Sequence, residues 1–172
     1  VCSSDLAGFF RPFAAVMRHA PLYAVLGNHD VMDDDGLQAL ANLRLPPSWL
    51  TGDGRCFSFA RGPVRVIGFD CTWEASERKL SPDHPALVYL RQELSACSEP
   101  WIVVASHFPM RSASRQGDLG EMLKHLRPLL REHAVTLYLS GHDHCYQRFA
   151  GDASDPVVVV SGGPEGAVSM AR

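Results

Sequence analysis

The sequence predicts an α/β fold built on an open sheet. Segments with apolar residues at helical spacing alternate along the chain with short apolar runs that are typical of buried strands. Several of these runs end directly before polar side chains, and ligands of open α/β sheets bind beyond the carboxyl ends of the strands. We therefore expect a single domain over residues 1–172, with one shared site at an edge of its sheet.

The helices are predicted from apolar residues that recur every three or four positions. This spacing places helices over residues 9–17, 33–45, 85–97 and 119–130. Pro21 is expected to close the first helix, and Pro46-Pro47 ends the second. Asp83 is the expected N-cap of the third helix, and Pro128 is expected to kink the fourth.

The strands are predicted from short apolar runs that end at turn residues. Buried strands are expected at Leu22–Leu26, Trp101–Ala105, Val135–Leu139 and Val157–Val160. A further pair, residues 56–59 and 64–69, flanks Arg61-Gly62-Pro63, which predicts a β-hairpin. Helices that separate most of these strands are the pattern expected of an α/β domain.

The composition excludes several classes of protein. The chain is 46% hydrophobic and 20% charged, which is ordinary for a soluble globular domain. A net charge of -3 and a pI near 6.2 argue against a nucleic-acid partner, because nucleic-acid-binding domains are usually strongly basic. No apolar run approaches the ~20 residues that span a bilayer, so no membrane segment is expected.

The first six residues have two readings. Val1–Leu6 is also what one frame of a common sequencing-library adapter encodes. The alternative is a native helix start, with Ser3 or Ser4 as N-cap before the apolar stripe that follows.

The motif with the most chemistry is Gly141-His142-Asp143-His144, directly after a predicted strand. On extended backbone, residues at i and i+2 face the same side, so both imidazoles can reach one metal cluster. Gly141 is expected to permit the sharp exit from the strand, and Asp143 to point away from the metals. An isolated His-x-His pair is a weak signal, because histidines also pack at the edges of cores.

Other strand ends supply further donors. His107 follows the Trp101–Ala105 run and adds a third nitrogen, while Asn28 can supply an amide oxygen. Nitrogen and oxygen donors without thiolate suit zinc, iron or manganese. The competing interpretation of Asn28 is an ordinary turn residue, since Gly-Asn is common in turns.

Two neighbours of Asn28 have open roles. His29 can face the substrate as a hydrogen-bond donor or general acid, because only one residue of an adjacent pair is expected to coordinate metal in a tight turn. Asp30 has two interpretations: it orients the His29 imidazole, or it caps the helix that follows.

Together these motifs carry a resemblance to a known family. Gly27-Asn28-His29-Asp30, Ser106-His107 and Gly141-His142-Asp143-His144, in this order and each after a buried strand, resemble the calcineurin-like metallophosphoesterase superfamily. The stretch from Ile102 to Phe149 is similar to the purple acid and tartrate-resistant acid phosphatase branch. The resemblance extends from about Pro21 to Val160, which is most of the chain.

The resemblance implies a four-layer α/β/β/α sandwich with two metal ions, drawn from iron, zinc and manganese. It places Asn28, His107 and His142 on one metal and His144 on the other. It gives His29 the contact to the phosphate and assistance to the leaving oxygen. The implied reaction is hydrolysis of a small-molecule phosphate monoester by attack of a metal-bound hydroxide.

The sequence departs from this family in one respect. The family uses two earlier motifs, of the Asp-x-His and Gly-Asp-x-x-Asp or Gly-Asp-x-x-Tyr types, and neither precedes Asn28. We therefore expect an N-terminally truncated member, lacking its N-terminal strands and holding an incomplete metal cluster. The alternatives are a phosphodiesterase of the same superfamily, for cyclic nucleotides or other diesters, and a non-catalytic scaffold or fragment without a complete metal site.

Overall fold

The fold is described by a computed structural model that covers residues 10–32, 34–43, 45, 48, 52–72 and 80–162. The two interpretations of Val1–Leu6 lie outside these residues. No helix in the described part of the chain is long and apolar enough to cross a membrane.

A mixed six-stranded sheet organises the described residues and confirms the α/β prediction. Its strand order is β1-β2-β3-β4-β6-β5. The central strands β2, β3, β4 and β6 are parallel, whereas the outer strands β1 and β5 pair antiparallel to their neighbours. The strand bounds are β1 Phe57–Arg61, β2 Val64–Gly68, β3 Trp101–Ala105, β4 Leu137–Ser140, β5 Tyr146–Phe149 and β6 Val157–Ser161.

The predicted hairpin is the best-defined local feature of the sheet. β1 and β2 pair from Phe57 opposite Gly68 to Arg61 opposite Val64, which leaves a two-residue connection. The first connecting residue, Gly62, has a φ of 56°, a left-handed conformation that glycine adopts without steric cost. The predicted hairpin is thus confirmed, with a connection of two residues, Gly62 and Pro63.

The predicted helices form over shorter ranges. They are α1 Arg11–Met17, α2 Leu37–Leu43, α3 Pro85–Ser95 and α4 Arg127–Glu132. The expected cap of α3 is wrong: His84, and not Asp83, is the N-cap, and its Nδ1 accepts the backbone N–H of Ala86 at 3.2 Å. Because Pro85 occupies the first turn of the helix, the residue directly before it is the one placed to receive that N–H.

The helical winding changes just before Pro128, and the kink expected there stays a prediction. A π-helical turn over Met122–Leu126 precedes α4, and Pro128 lies in the first turn of α4. Proline has no N–H to donate, and the first turn of a helix is where that donor is not needed.

The predicted strand at Leu22–Leu26 is wrong: the structure assigns no strand there. A strand requires a hydrogen-bonded neighbour, and none of the described strands pairs with this segment. Its apolar character instead reflects burial, because Leu26 packs with Val31, Leu40 and Leu45 in a small core of its own.

The two faces of the sheet differ in what covers them. One face, with Ile67, Val104 and Tyr138, is buried in the main core against α3 and α4. The opposite face is apolar and mostly half-buried or exposed, except at its β1 edge, where Phe57 is buried and the Tyr23 ring packs on Phe57 and Phe59. That face, which we call the open sheet face, carries Val64, Val66, Trp101, Val103, Leu137, Leu139, Val157 and Val159.

Candidate functional site

Three side-chain atoms from three separate loops meet at the carboxyl edge of the parallel strands. Asn28 Oδ1 lies 2.7 Å from His107 Nε2 and 3.2 Å from His142 Nδ1. The two imidazole nitrogens, His107 Nε2 and His142 Nδ1, are 3.3 Å apart. His107 follows β3 and His142 follows β4, so the parallel pairing of these strands brings the rings together.

Two of the three separations between these atoms fall in the range expected for ligands of one metal ion. Donors that lie about 2.1 Å from an ion are separated by about 3.0–3.4 Å at neighbouring coordination positions. The three distances of 2.7, 3.2 and 3.3 Å are close to that range. One of these three donors is an amide oxygen. The described residues contain no group of three or more His, Cys, Asp and Glu side chains arranged to hold an ion.

The electrostatics of His107 favour a neutral ring. Burial lowers the pKa of His107 to about 4, and the nearby imidazoles of His142, His29 and His144 contribute in the same direction. An imidazole with this pKa is uncharged at neutral pH and offers a lone pair to a cation.

The turn that carries Asn28 is shaped around His107. A Cβ added at Gly27 would lie 2.8 Å from ring atoms of His107, so any larger residue here would have to displace that ring. The carboxylate of Asp30 accepts the backbone N–H of Gly27 at 2.7 Å, which closes the turn. This contact within the turn is neither of the two roles considered for Asp30, which were to orient His29 and to cap the helix that follows.

The segment that carries His142 and His144 is wound more tightly than the sequence predicts. The backbone N–H of Asp143 donates to Gly141 O at 2.8 Å, and that of Cys145 donates to Asp143 O at 2.7 Å. The expected role of Gly141 is wrong, because the residue with a left-handed backbone is His142, with a φ of 66°. Non-glycine residues with a left-handed backbone conformation are strained, and such residues are concentrated at functional sites.

All five residues predicted for the site reach one open cleft of about 490 Å³. His29 and His144 are exposed, whereas Asn28, His107 and His142 are half-buried. The residues that line the cleft are Asn28, His29, His107, Gln116, Gly141, His142, His144, Ser161 and Gly162. The sequence therefore identified a set of residues that the fold does bring together.

Asp143 does not line the cleft. Its side chain is buried, and one carboxylate oxygen accepts a hydrogen bond from the Ser112 hydroxyl. Its other oxygen, Oδ1, has no hydrogen-bond partner within the described residues.

Three lining residues, Gln116, Ser161 and Gly162, were not found from the sequence. Gln116 Oε1 lies 3.1 Å from His142 Nε2, and Gly162 passes so close to Asp143 that a Cβ there would overlap its carbonyl oxygen. A glycine directly after β6 was a usable signal for Gly162. Gln116 lies in a polar loop with no periodicity, so nothing in the sequence distinguishes it.

Comparison with known proteins identifies relatives of this chain. The model of the calcineurin-like phosphoesterase family matches residues 3–146. Purple acid phosphatase 17 from Arabidopsis thaliana is 30% identical over 158 residues, which cover 82% of this chain and 46% of the plant protein. Tartrate-resistant acid phosphatase type 5 from Homo sapiens is 40% identical over 163 residues, covering 85% of this chain and 50% of the human protein.

Solved structures share the fold at low sequence identity. A dimetal phosphatase from Danio rerio superposes with a TM-score of 0.61 at 15% identity, covering 94% of this chain and 67% of the other. The structure described as GAP50, the anchor in the inner membrane complex of Plasmodium, gives a TM-score of 0.61 at 21% identity, covering 83% and 49%. The chain spans about half the length of the curated relatives it matches. It belongs to the calcineurin-like phosphoesterase family, which is metal-dependent, and its homologues are purple acid and tartrate-resistant acid phosphatases.

Proposed function

We propose that this protein hydrolyses phosphate monoesters at a two-metal centre, one half of which is built by the described loops. The observation that carries the proposal is the triangle of Asn28 Oδ1, His107 Nε2 and His142 Nδ1, with sides of 2.7–3.3 Å, at the floor of an open cleft. The acid phosphatase homologues support the same reaction class.

Four residues are assigned to the metals. Asn28, His107 and His142 would hold one ion through the three converging atoms, and His144, exposed in the same cleft, would bind the other. One amide oxygen and neutral imidazoles suit iron, zinc or manganese. When bound, the two ions polarise the phosphate oxygens and supply the nucleophile at neutral pH.

His29 is assigned to the substrate. It is exposed in the cleft directly beside Asn28, so its ring can reach a phosphate group held at the metal position. As a hydrogen-bond donor it would bind a phosphate oxygen, and as a general acid it would give its proton to the leaving alkoxide.

We further infer that the described sheet is one inner layer of a four-layer α/β/β/α sandwich. Sheets with parallel strands are normally covered on both faces, and the open sheet face is apolar, with Trp101 55% exposed. A second sheet packed on that face would bury these side chains. The match to about half the length of the relatives supports the same inference.

The reaction is tested by assaying the purified protein, loaded in turn with iron, zinc and manganese, on p-nitrophenyl phosphate and on bis(p-nitrophenyl) phosphate. We expect the monoester to be hydrolysed faster. The Asn28→Leu variant should lose metal affinity by at least the ~10–100-fold that loss of an outer contact to a metal ligand costs. The His29→Gln variant should keep its metal and lose kcat by about 10²–10⁴-fold, the contribution of a general acid.

The control is His133→Gln, the same substitution at the end of α4 and outside the residues that line the cleft. It should behave as the unaltered protein. Faster hydrolysis of the diester would replace the monoesterase proposal with a phosphodiesterase. A protein that binds metal at none of these residues would sink the catalytic proposal and favour a scaffold role.

A further inference from the structure

His142 is held in its strained conformation by neighbouring residues. Its φ of 66° costs energy for a residue with a Cβ, so the surroundings must fix it. Asp143, the next residue, is buried and bonded to the Ser112 hydroxyl. On the other side, Gly162 packs against the carbonyl of Asp143, and its N–H donates to Cys145 O at 3.1 Å.

Ser112 belongs to the segment that follows β3, residues 108–118, which we call the β3 loop. This loop is fixed at several points. The buried Tyr138 hydroxyl donates to Phe108 O at 2.6 Å, and the buried Gln147 amide oxygen accepts the N–H of Ala113 at 2.6 Å. Asp118 accepts the N–H of Ser112 at 2.8 Å and closes the loop on itself.

The anchored loop brings Gln116 to the outer side of the His142 ring. Gln116 Oε1 lies 3.1 Å from His142 Nε2, while Nδ1 on the other side of the ring faces Asn28 Oδ1 and His107 Nε2. A neutral imidazole carries one N–H, and the hydrogen bond of one nitrogen determines which tautomer is present. An amide oxygen at Nε2 favours the tautomer that carries its proton on Nε2 and none on Nδ1.

We propose that Gln116 is a positioning residue, whose amide oxygen accepts the Nε2–H of His142 and keeps Nδ1 unprotonated and directed at the metal position. The inference rests on the proposed metal site. Without this acceptor, the proton can move to Nδ1, which lies 3.2 Å from Asn28 Oδ1 and would donate to it. In that tautomer Nδ1 carries a proton and has no lone pair for a metal, which would have to displace the proton before binding.

Outer hydrogen bonds to metal-binding histidines are worth about 10–100-fold in metal affinity. Gln116 is an exposed residue, so we place its contribution at the lower end, about tenfold. Glutamate at the same position keeps an acceptor oxygen of the same reach, whereas methionine keeps the length and removes the acceptor.

The test compares the unaltered protein with Gln116→Met, Gln116→Glu and a control, Arg115→Met. Arg115 is the exposed neighbour in the same loop and does not line the cleft. The first measurement is ¹⁵N NMR of the His142 ring in the metal-free protein at pH 8, where an ordinary imidazole is neutral. The second is the zinc dissociation constant by calorimetric titration.

The unaltered protein, Gln116→Glu and Arg115→Met should show the tautomer protonated at Nε2. Gln116→Met should show a mixture of both tautomers and a zinc affinity lower by about tenfold. If Gln116→Met keeps the Nε2–H tautomer and the unaltered affinity, the inference is wrong. If the unaltered protein binds no zinc, iron or manganese, the proposed function fails, but the NMR comparison still decides the role of Gln116.

Discussion

Removing the guanidinium of Arg55 should destabilise the fold strongly, because this cation neutralises a buried carboxylate. Arg55 is 3% exposed and contacts three aspartates. Its Nε lies 2.9 Å from Asp53 Oδ2, its Nη1 lies 3.3 Å from Asp70 Oδ2, and its Nη2 lies 3.0 Å from Asp35 Oδ2 and donates also to the Asp35 carbonyl. The partners differ in burial: Asp70 is fully buried, whereas Asp35 and Asp53 reach solvent.

The expected magnitude follows from that difference in burial. Breaking a buried ion pair by removing one partner costs about 3–5 kcal/mol, because the other charge stays buried without compensation. Exposed pairs contribute only about 0–1 kcal/mol, so Asp35 and Asp53 add little. We therefore expect Arg55→Met to lower the free energy of unfolding by about 3–5 kcal/mol at pH 7, mostly through Asp70.

The loss of stability caused by Arg55→Met should depend on pH, because Asp70 can take up a proton. Burial raises the pKa of Asp70 above its ordinary 3.8, although the hydrogen bonds from Thr72 and the charge of Arg55 oppose the shift. When the pKa of a carboxyl is higher in the folded than in the unfolded protein, the protein loses stability as the pH rises from the unfolded-state pKa to the folded-state pKa. Without Arg55 that folded value is higher still, so Arg55→Met should cost less at pH 5 than at pH 7.

The assay is urea unfolding at both pH values, with Arg55→Met, Asp70→Asn and the double variant. In the double variant no charge is left buried, so most of the lost stability should return. Arg65→Met is the matched control: Arg65 pairs with Glu99, both side chains are half-buried and neither is fully buried as Asp70 is, so its loss should cost less. A cost below about 1 kcal/mol for Arg55→Met, or an equal cost with and without the Asp70 charge, would refute the reasoning.

Three further predictions concern the site and its support. Gly27→Ala should displace the His107 ring, since the new Cβ would lie 2.8 Å from it, and cost about 1–3 kcal/mol in urea unfolding together with weaker zinc binding in calorimetry. An NMR titration of the metal-free protein should give His107 a pKa of about 4. Because this pKa is below the ordinary 6.5, the free energy of unfolding should fall as the pH is lowered from 6.5 to 4. A measured pKa near 6.5 would contradict the described burial of His107. Tyr138→Phe should cost about 1–3 kcal/mol, because it removes the buried hydroxyl that donates to Phe108 O and leaves that carbonyl unsatisfied; an unchanged urea midpoint would rule this out.

Local patterns were sufficient for much of the fold. The hairpin, the helices and the strands β2, β3, β4 and β6 follow from features that act within a few residues: turn glycine, apolar period and proline. The motif order also identified the family, because chemistry of this kind needs particular residue types directly after particular strands. Where the pattern failed, at Leu22–Leu26, the missing factor was a pairing partner, which no local run of residues can specify.

The sequence by itself identified five of the residues that line the cleft: Asn28, His29, His107, His142 and His144. Only the tertiary structure decided how they are held there. The left-handed backbone falls on His142 and not on Gly141, because buried contacts of Asp143 and Gly162 fix the turn from both sides. Gln116 meets His142 through the course of a loop anchored elsewhere. Residue chemistry is encoded position by position, whereas the distance between two side chains depends on every element packed between them.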